Sequence, residues 1–276
     1  MNSNNLSPNP NLFTRQDFLR ILEAGTAVAN YRFARQAALT WLALFPGDMA
    51  VNLFLAKSMI GEGKYPAAVA TLEKLVNQDP ELLETNQALA GAYHLAGSER
   101  YQQAQACVEV LKGGTGRGDK MPGWAAQLSQ VRRLARRGDL SGAEKLVHQV
   151  VSQEPDLRLA AVMHLHIDKQ FQEESTVYQL ANLYHERWPD CLQFALYLAE
   201  LKMARGDENT AVNLLHQCVS NDLIGQVAER LWGKDHRYKP LWPEGLKIDL
   251  QMGVPAEVAV KLGWNQLPQG ELVEPA

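Results

Sequence analysis

The apolar residues of this chain fall in short stretches at helical spacing, and the stretches return on a fixed period. Tyr31, Ala34 and Pro46 recur as Tyr65, Ala68 and Pro80, while Asn52, Leu55, Ala56 and Gly63 recur as Asn86, Leu89, Ala90 and Gly97, every step being 34 residues. Pro155 and Pro189 are again 34 apart, and Gly138, Asp139 and Ala143 return as Gly206, Asp207 and Ala211 after twice that interval. The two phased halves are offset by 41 residues between Gly97 and Gly138, so seven extra residues enter between them, at Ser98–Arg100 or in the Gly-rich stretch 113–123.

A period of this length marks stacked units, each a pair of amphipathic helices that cannot bury its apolar face alone. Gly63, Gly97, Gly138 and Gly206 fall where a first helix must stop and turn, because a helix C-terminus usually passes through the left-handed conformation that glycine adopts without strain. The proline closing each copy lacks an N–H and pushes its predecessor out of helical geometry, which ends the second helix. Six units are expected, at 15–48, 49–82, 83–116, 124–157, 158–191 and 192–225. The first carries Gly25 where an aromatic is usual. The fifth has Val177 in place of the small residue and lacks the turn glycine, so both are expected to be the least regular.

With this period and residue order, the chain resembles the tetratricopeptide repeat (TPR) family, and its best copy is NLFLAKSMIGEGKYPAAVATLEKLVNQDP, from Asn52 to Pro80. The resemblance covers about three quarters of the chain. It implies an all-α fold: an α-α superhelix, or solenoid, of about six TPR-like helix pairs with a capping helix and an extended C-terminal tail. Small residues at Ala56 and Ala68 would let paired helices approach closely. The resemblance further implies that the first helix of each pair lines a concave groove where peptides or partner helices dock. The family's helical phase then puts Arg20, Lys57, His94, Arg132, Arg136, His166 and Tyr197 on that face. Leu53, Phe54 and Ala88 occupy groove positions where the chaperone-tail-binding members carry polar residues, which argues against that partner class.

Outside the repeats the pattern changes. Residues 1–13 are polar and Asn-rich and are expected to form a disordered tail; they carry no basic or apolar segment of a secretory signal. The solenoid is expected over 14–231, as blocks 14–112 and 124–231 joined by a Gly-rich connector at 113–123, with a capping helix over Leu223–Leu231. From 232 to 276 an extension is expected to pack back on the solenoid. It holds an aromatic stretch (Trp232, Tyr238, Trp242) and an alternating, strand-like run (Leu246, Ile248, Leu250, Met252). A small helix at Pro255–Leu262 and Trp264 complete it.

Composition narrows the function classes. The hydrophobic content of 46% supports a large core, and the formal charge of −4 makes general nucleic-acid binding unlikely. The longest unbroken apolar run, Phe194–Ala199, falls far short of a membrane span of about 20 residues. Cys107, Cys191 and Cys218 form no CxxC pair and read as buried small hydrophobes, which suits a reducing cytoplasm.

Candidate chemistry is sparse. Gly113–Lys120 lacks the Ser or Thr that follows the lysine of a phosphate-binding loop, and His185-Glu186 lacks the second histidine of a zinc-protease site. His164 and His166 are two apart, so on a helix they point away from one another and cannot share a metal ion. No catalytic residue, cofactor or metal is expected. Arg132 and Arg136, one turn apart, could recognise a carboxylate or phosphate. The expected function is a non-catalytic scaffold that holds a partner protein's peptide or helix in its groove. The alternative is a regulatory sensor whose groove takes a small molecule or short peptide and is gated by the C-terminal segment.

Overall fold

The computed structural model describes residues 12–115 and 121–264. Twelve helices form six consecutive antiparallel pairs: α1 (Arg15–Ala27) with α2 (Tyr31–Leu44), α3 (Met49–Gly61) with α4 (Tyr65–Gln78), α5 (Leu83–Leu95) with α6 (Tyr101–Lys112), α7 (Gly123–Arg136) with α8 (Leu140–Gln153), α9 (Arg158–Phe171) with α10 (Glu174–Arg187), and α11 (Leu192–Ala204) with α12 (Glu208–Asn221). The second helix of each pair also packs on the first helix of the next, as a helical repeat requires. No helix among the described residues is long and apolar enough to cross a membrane.

The fourth residue of the second helices is Ala34, Ala68, Ala104, Ala143, Val177 and Ala211 in turn, a small side chain in five of the six pairs. All but Ala104 are buried. Val177 is accommodated without breaking its pair, and α9 ends there at Gln172 in extended backbone instead of at a glycine. Gly25 also has a packing role: a Cβ there would lie 3.2 Å from the Phe33 ring and 3.3 Å from the Ala34 methyl, so its absence lets α1 and α2 close up. Second helices begin 34 residues apart except at α6 and α8, where the steps are 36 and 39. Two extra residues therefore enter at the α5–α6 turn and five in the connector.

After α12 the chain forms α13 (Gln226–Trp232), a 3-10 turn (Lys239–Leu241), β2 (Lys247–Asp249) and α14 (Ala256–Leu262). Leu12 and Phe13, expected at the end of the disordered tail, form β1 with Thr14 (Leu12–Thr14) and pair antiparallel with β2, Phe13 opposite Ile248. A lone alternating strand leaves its backbone groups unpaired, and β1 supplies the partners. The expected tail at 1–11, connector residues 116–120 and extension residues 265–276 lie outside the described residues.

The extension touches both ends of the repeat. Val227, Ala228 and Trp242 join a buried cluster with Leu196 and Leu215 of the last pair, whereas Ile248, Leu250 and Val258 join Phe18, Ile21 and Leu22 of the first. Asn30 Nδ2 donates to Glu257 of α14 at 2.7 Å, and Phe13 stacks on Trp264. Leu246 is only four positions after Trp242, a reach of about 14 Å, so the last pair and the first must lie side by side. They meet at Gly47, between α2 and α3, where a Cβ would fall 2.1 Å from the Ser220 carbonyl oxygen. The Leu223 N–H also donates to the Gly47 carbonyl at 3.1 Å.

The turn between α1 and α2 departs from the glycine pattern. Ala29 occupies the position of Gly63 and Gly97 and takes φ 58°, the one positive-φ residue other than glycine among those described. An L side chain is strained there by about 1 kcal/mol. Ala29→Gly should raise stability by about that amount in urea unfolding despite the added freedom of the unfolded chain. Gly47→Ala should lower it by about 1 to 3 kcal/mol, because the methyl meets backbone that cannot move aside.

Candidate partner-binding surface

The residues expected to face a groove divide into three groups. Arg20 and His94 are exposed, the His94 ring resting 4.9 Å from that of Tyr101. Lys57 pairs with Glu84 of α5 at 2.5 Å and lies over the Phe54 ring. Arg132 is half-buried and donates to the carbonyls of Val110 and Leu111, so it satisfies the free C-terminal end of α6. Arg136, one turn further along, is exposed beside Gly113.

His166, partly buried, and Tyr197, buried, come together. The Tyr197 hydroxyl lies 2.9 Å from His166 Nδ1, and Glu81, from the α4–α5 corner, approaches His166 Nε2 at 3.2 Å. Tyr197 is buried, which pushes its hydroxyl pKa up, and Lys169 sits 4.5 Å above its ring. Burial opposes ionisation of Glu81, but the bond from His166 and the charges of His166, Arg230 and Arg132 outweigh it and hold the carboxyl below its usual range. His164, two residues before His166, turns instead to the Tyr184 hydroxyl at 2.7 Å and to Asp168 at 3.5 Å. Burial and neighbouring His148 push its pKa down to about 4.

What covers Tyr197 is the meeting of the two halves, centred on a residue that sequence reasoning missed. Asp79 ends α4, where Pro80 forces its backbone into an extended conformation. Its side chain has no solvent exposure. It accepts from Gln193 of α11 at 2.8 Å, from both terminal nitrogens of Arg230 of α13 at 2.7 and 2.9 Å, and from the Glu81 N–H at 3.2 Å. Around it Gln78 donates to Asn221, Arg158 donates to the Asn77 carbonyl, and Gln226 reaches Met49. The available signals were an arginine within the apolar capping helix and the apolar run of α11. Leu192–Ala199 is buried without a break, so α11 is enclosed on every side, not only on its pair-facing side.

The first-helix face of the second and third pairs stays open. Lys57, Ile60, Glu84, Gln87, Ala88, Gly91 and Leu95 surround a depression of about 440 Å³. Leu95 is 52% exposed, and a Cβ at Gly91 would meet nothing within 4 Å. A second cleft of about 550 Å³ lies between α4–α6 and the α8–α9 corner, but its charged groups are engaged: Arg100 and Tyr93 with Glu73, Arg158 with Asp190. Among the described residues no group of three His, Cys, Asp or Glu side chains is arranged to hold a metal ion. The chain matches no known protein-family model, and no curated protein is significantly similar to it.

Two outcomes test this arrangement. Arg230→Ala leaves Asp79 buried and unpaired, and should cost about 3 kcal/mol in chemical unfolding, the low end for such a loss because the arginine is itself a third exposed. Asp222, also buried near this junction, is pushed up to about 6 by burial against the opposing backbone N–H groups of Val227 and Gln226. A raised carboxyl pKa means that the folded chain holds a proton the unfolded chain has lost, so stability falls as pH rises from about 4 to about 6 and stays low above. Asp168 contributes in the same window, since burial raises it to about 6 as well. Asp222→Asn, which keeps a carbonyl for the Val227 N–H, should stabilise the protein by about 2 kcal/mol at pH 7.5 and by nothing near pH 4.

Proposed function

We propose that the chain is a tetratricopeptide-type superhelical scaffold, without catalytic activity, that binds a segment of a partner protein on the first-helix face of its second and third pairs. The observation that carries this reading is the open depression around Gly91. Its floor is apolar at Ile60, Ala88 and Leu95, and its rim is charged at Lys57 and Glu84. Such a surface is suited to an apolar side chain on a helix or extended segment, with polar groups fixing its orientation. The corresponding faces of α9 and α11 are less available, because Glu81 and Arg230 lie against His166 and Asp79. The 34-residue period, the small fourth residue of the second helices and the turn glycines support the superhelical assignment.

Affinity capture from the native cell extract, with wild type and a Leu95→Glu variant in parallel, tests the reading. A protein retained by the wild type should be lost by the variant. Leu95 is already exposed, so the substitution should leave the melting curve within about 0.5 kcal/mol of wild type. Equal recovery by both chains would rule out this face as the binding site.

A further inference from the structure

The C-terminal end of α7 and its cap carry Arg132, Arg133, Arg136 and Arg137 within six residues. At about 100° per residue they span an arc of about 140°, so they form one continuous basic face. Arg133, Arg136 and Arg137 are exposed, as is Lys112 at the end of α6, and Arg136 lies beside Gly113, the residue after Lys112. Several exposed and partly exposed cations are neutralised across the helix pairs, Arg35 by Glu62, Lys57 by Glu84, Lys169 by Glu200, Arg187 by Asp156 and Arg205 by Glu174, whereas others, among them Arg20, Arg32 and Lys74, have no carboxylate within ion-pair distance among the described residues. None of the three exposed arginines of α7, nor Lys112, has a carboxylate partner among the described residues.

Structural needs account for only part of the cluster. Arg132 satisfies the carbonyls that end α6, and Arg137 at the cap of α7 complements the negative end of its dipole. Arg133 and Arg136, in the last turn, share that dipole, but one cation suffices for it, and like charges one turn apart repel.

We propose that this face is a docking surface for an extended acidic peptide of a partner protein, read by guanidinium–carboxylate pairs. The inference rests on the scaffold reading and adds a second contact to it. Arg133 and Arg137 are about 6 Å apart along the helix, close to the spacing of about 7 Å between alternate side chains of an extended strand. Acidic residues at alternate positions of such a peptide therefore match them. The net charge of −4 repels any long polyanion at a distance, so the face suits a short ligand that meets the arginines locally.

The test uses the full chain, a fluorescein-labelled octaglutamate peptide and anisotropy titration at low salt. Arg133→Glu/Arg136→Glu/Arg137→Glu should weaken peptide binding by at least about tenfold, the combined worth of three exposed pairs. Lys234→Glu/Lys247→Glu/Lys261→Glu, which changes charge equally but away from α7, should leave it unchanged. Should the first variant melt early, the Gln triple variant replaces it with the same expectation. Equal affinity in both variants, no binding by wild type, or tighter binding of a single-stranded oligonucleotide of equal charge would overturn the proposal. Captured proteins that depend on Leu95 but not on these arginines would leave the scaffold reading intact and remove this surface alone.

Discussion

A carboxylate stripped of solvent must find its hydrogen bonds inside the protein, and Asp79 does so by drawing the far half of the chain onto the near half. Its donors come from α11 and α13, more than a hundred residues away, and together they dictate where the last pair sits against the second and third. Much follows from this contact. The Leu192–Ala199 stretch of α11 becomes buried on all sides, Tyr197 is enclosed with His166 beside it, and α13 becomes a strap between two pairs and not merely an end cap.

The same corner position serves other ends elsewhere. Asp48, at the head of α3, is equally buried and gathers Arg15, the Trp41 indole N–H and the Val51 N–H. Asp222, at the end of α12, holds the Val227 N–H but leaves one oxygen without a partner, and burial raises its pKa as a result. Asp79 and Asp48 thus knit separate segments together, while Asp222, the least satisfied of the three, holds a nearby backbone N–H close to the junction. Such groups secure a particular arrangement more than they add stability, because each gain is offset by desolvation.

Closing the two halves together separates covered surface from free surface. Interior contacts engage the first-helix faces near α9 and α11, whereas the face of α3 and α5 around Gly91 stays open, and the end of α7 presents unpaired guanidinium groups. Apolar floor and basic face lie on different pairs. A partner using both would be held by burial at one and by charge at the other, and only the second would respond to salt.

Much of the fold was legible because a repeat is local information. The 34-residue period, the turn glycines and the small fourth residues depend only on contacts within a pair or between neighbours, so six helix pairs and their limits followed from spacing. The short strand at Lys247–Asp249 and the helix after Pro255 were legible for the same reason, whereas the partner strand at Leu12–Thr14 was not, since its three residues carry no pattern of their own. Helical phase also placed Arg132, His166 and Tyr197 on one side of their helices, but phase says nothing about what lies opposite. That Arg132 would be spent on α6, that Glu81 would cover His166, and that Asp79 would meet Arg230 depend on side chains brought together across 22 to 151 residues. The sequence by itself determined the helices and their pairing, through short-range periodicity. Only the tertiary structure decided which faces remain free, because that depends on contacts between residues more than a hundred positions apart in the chain.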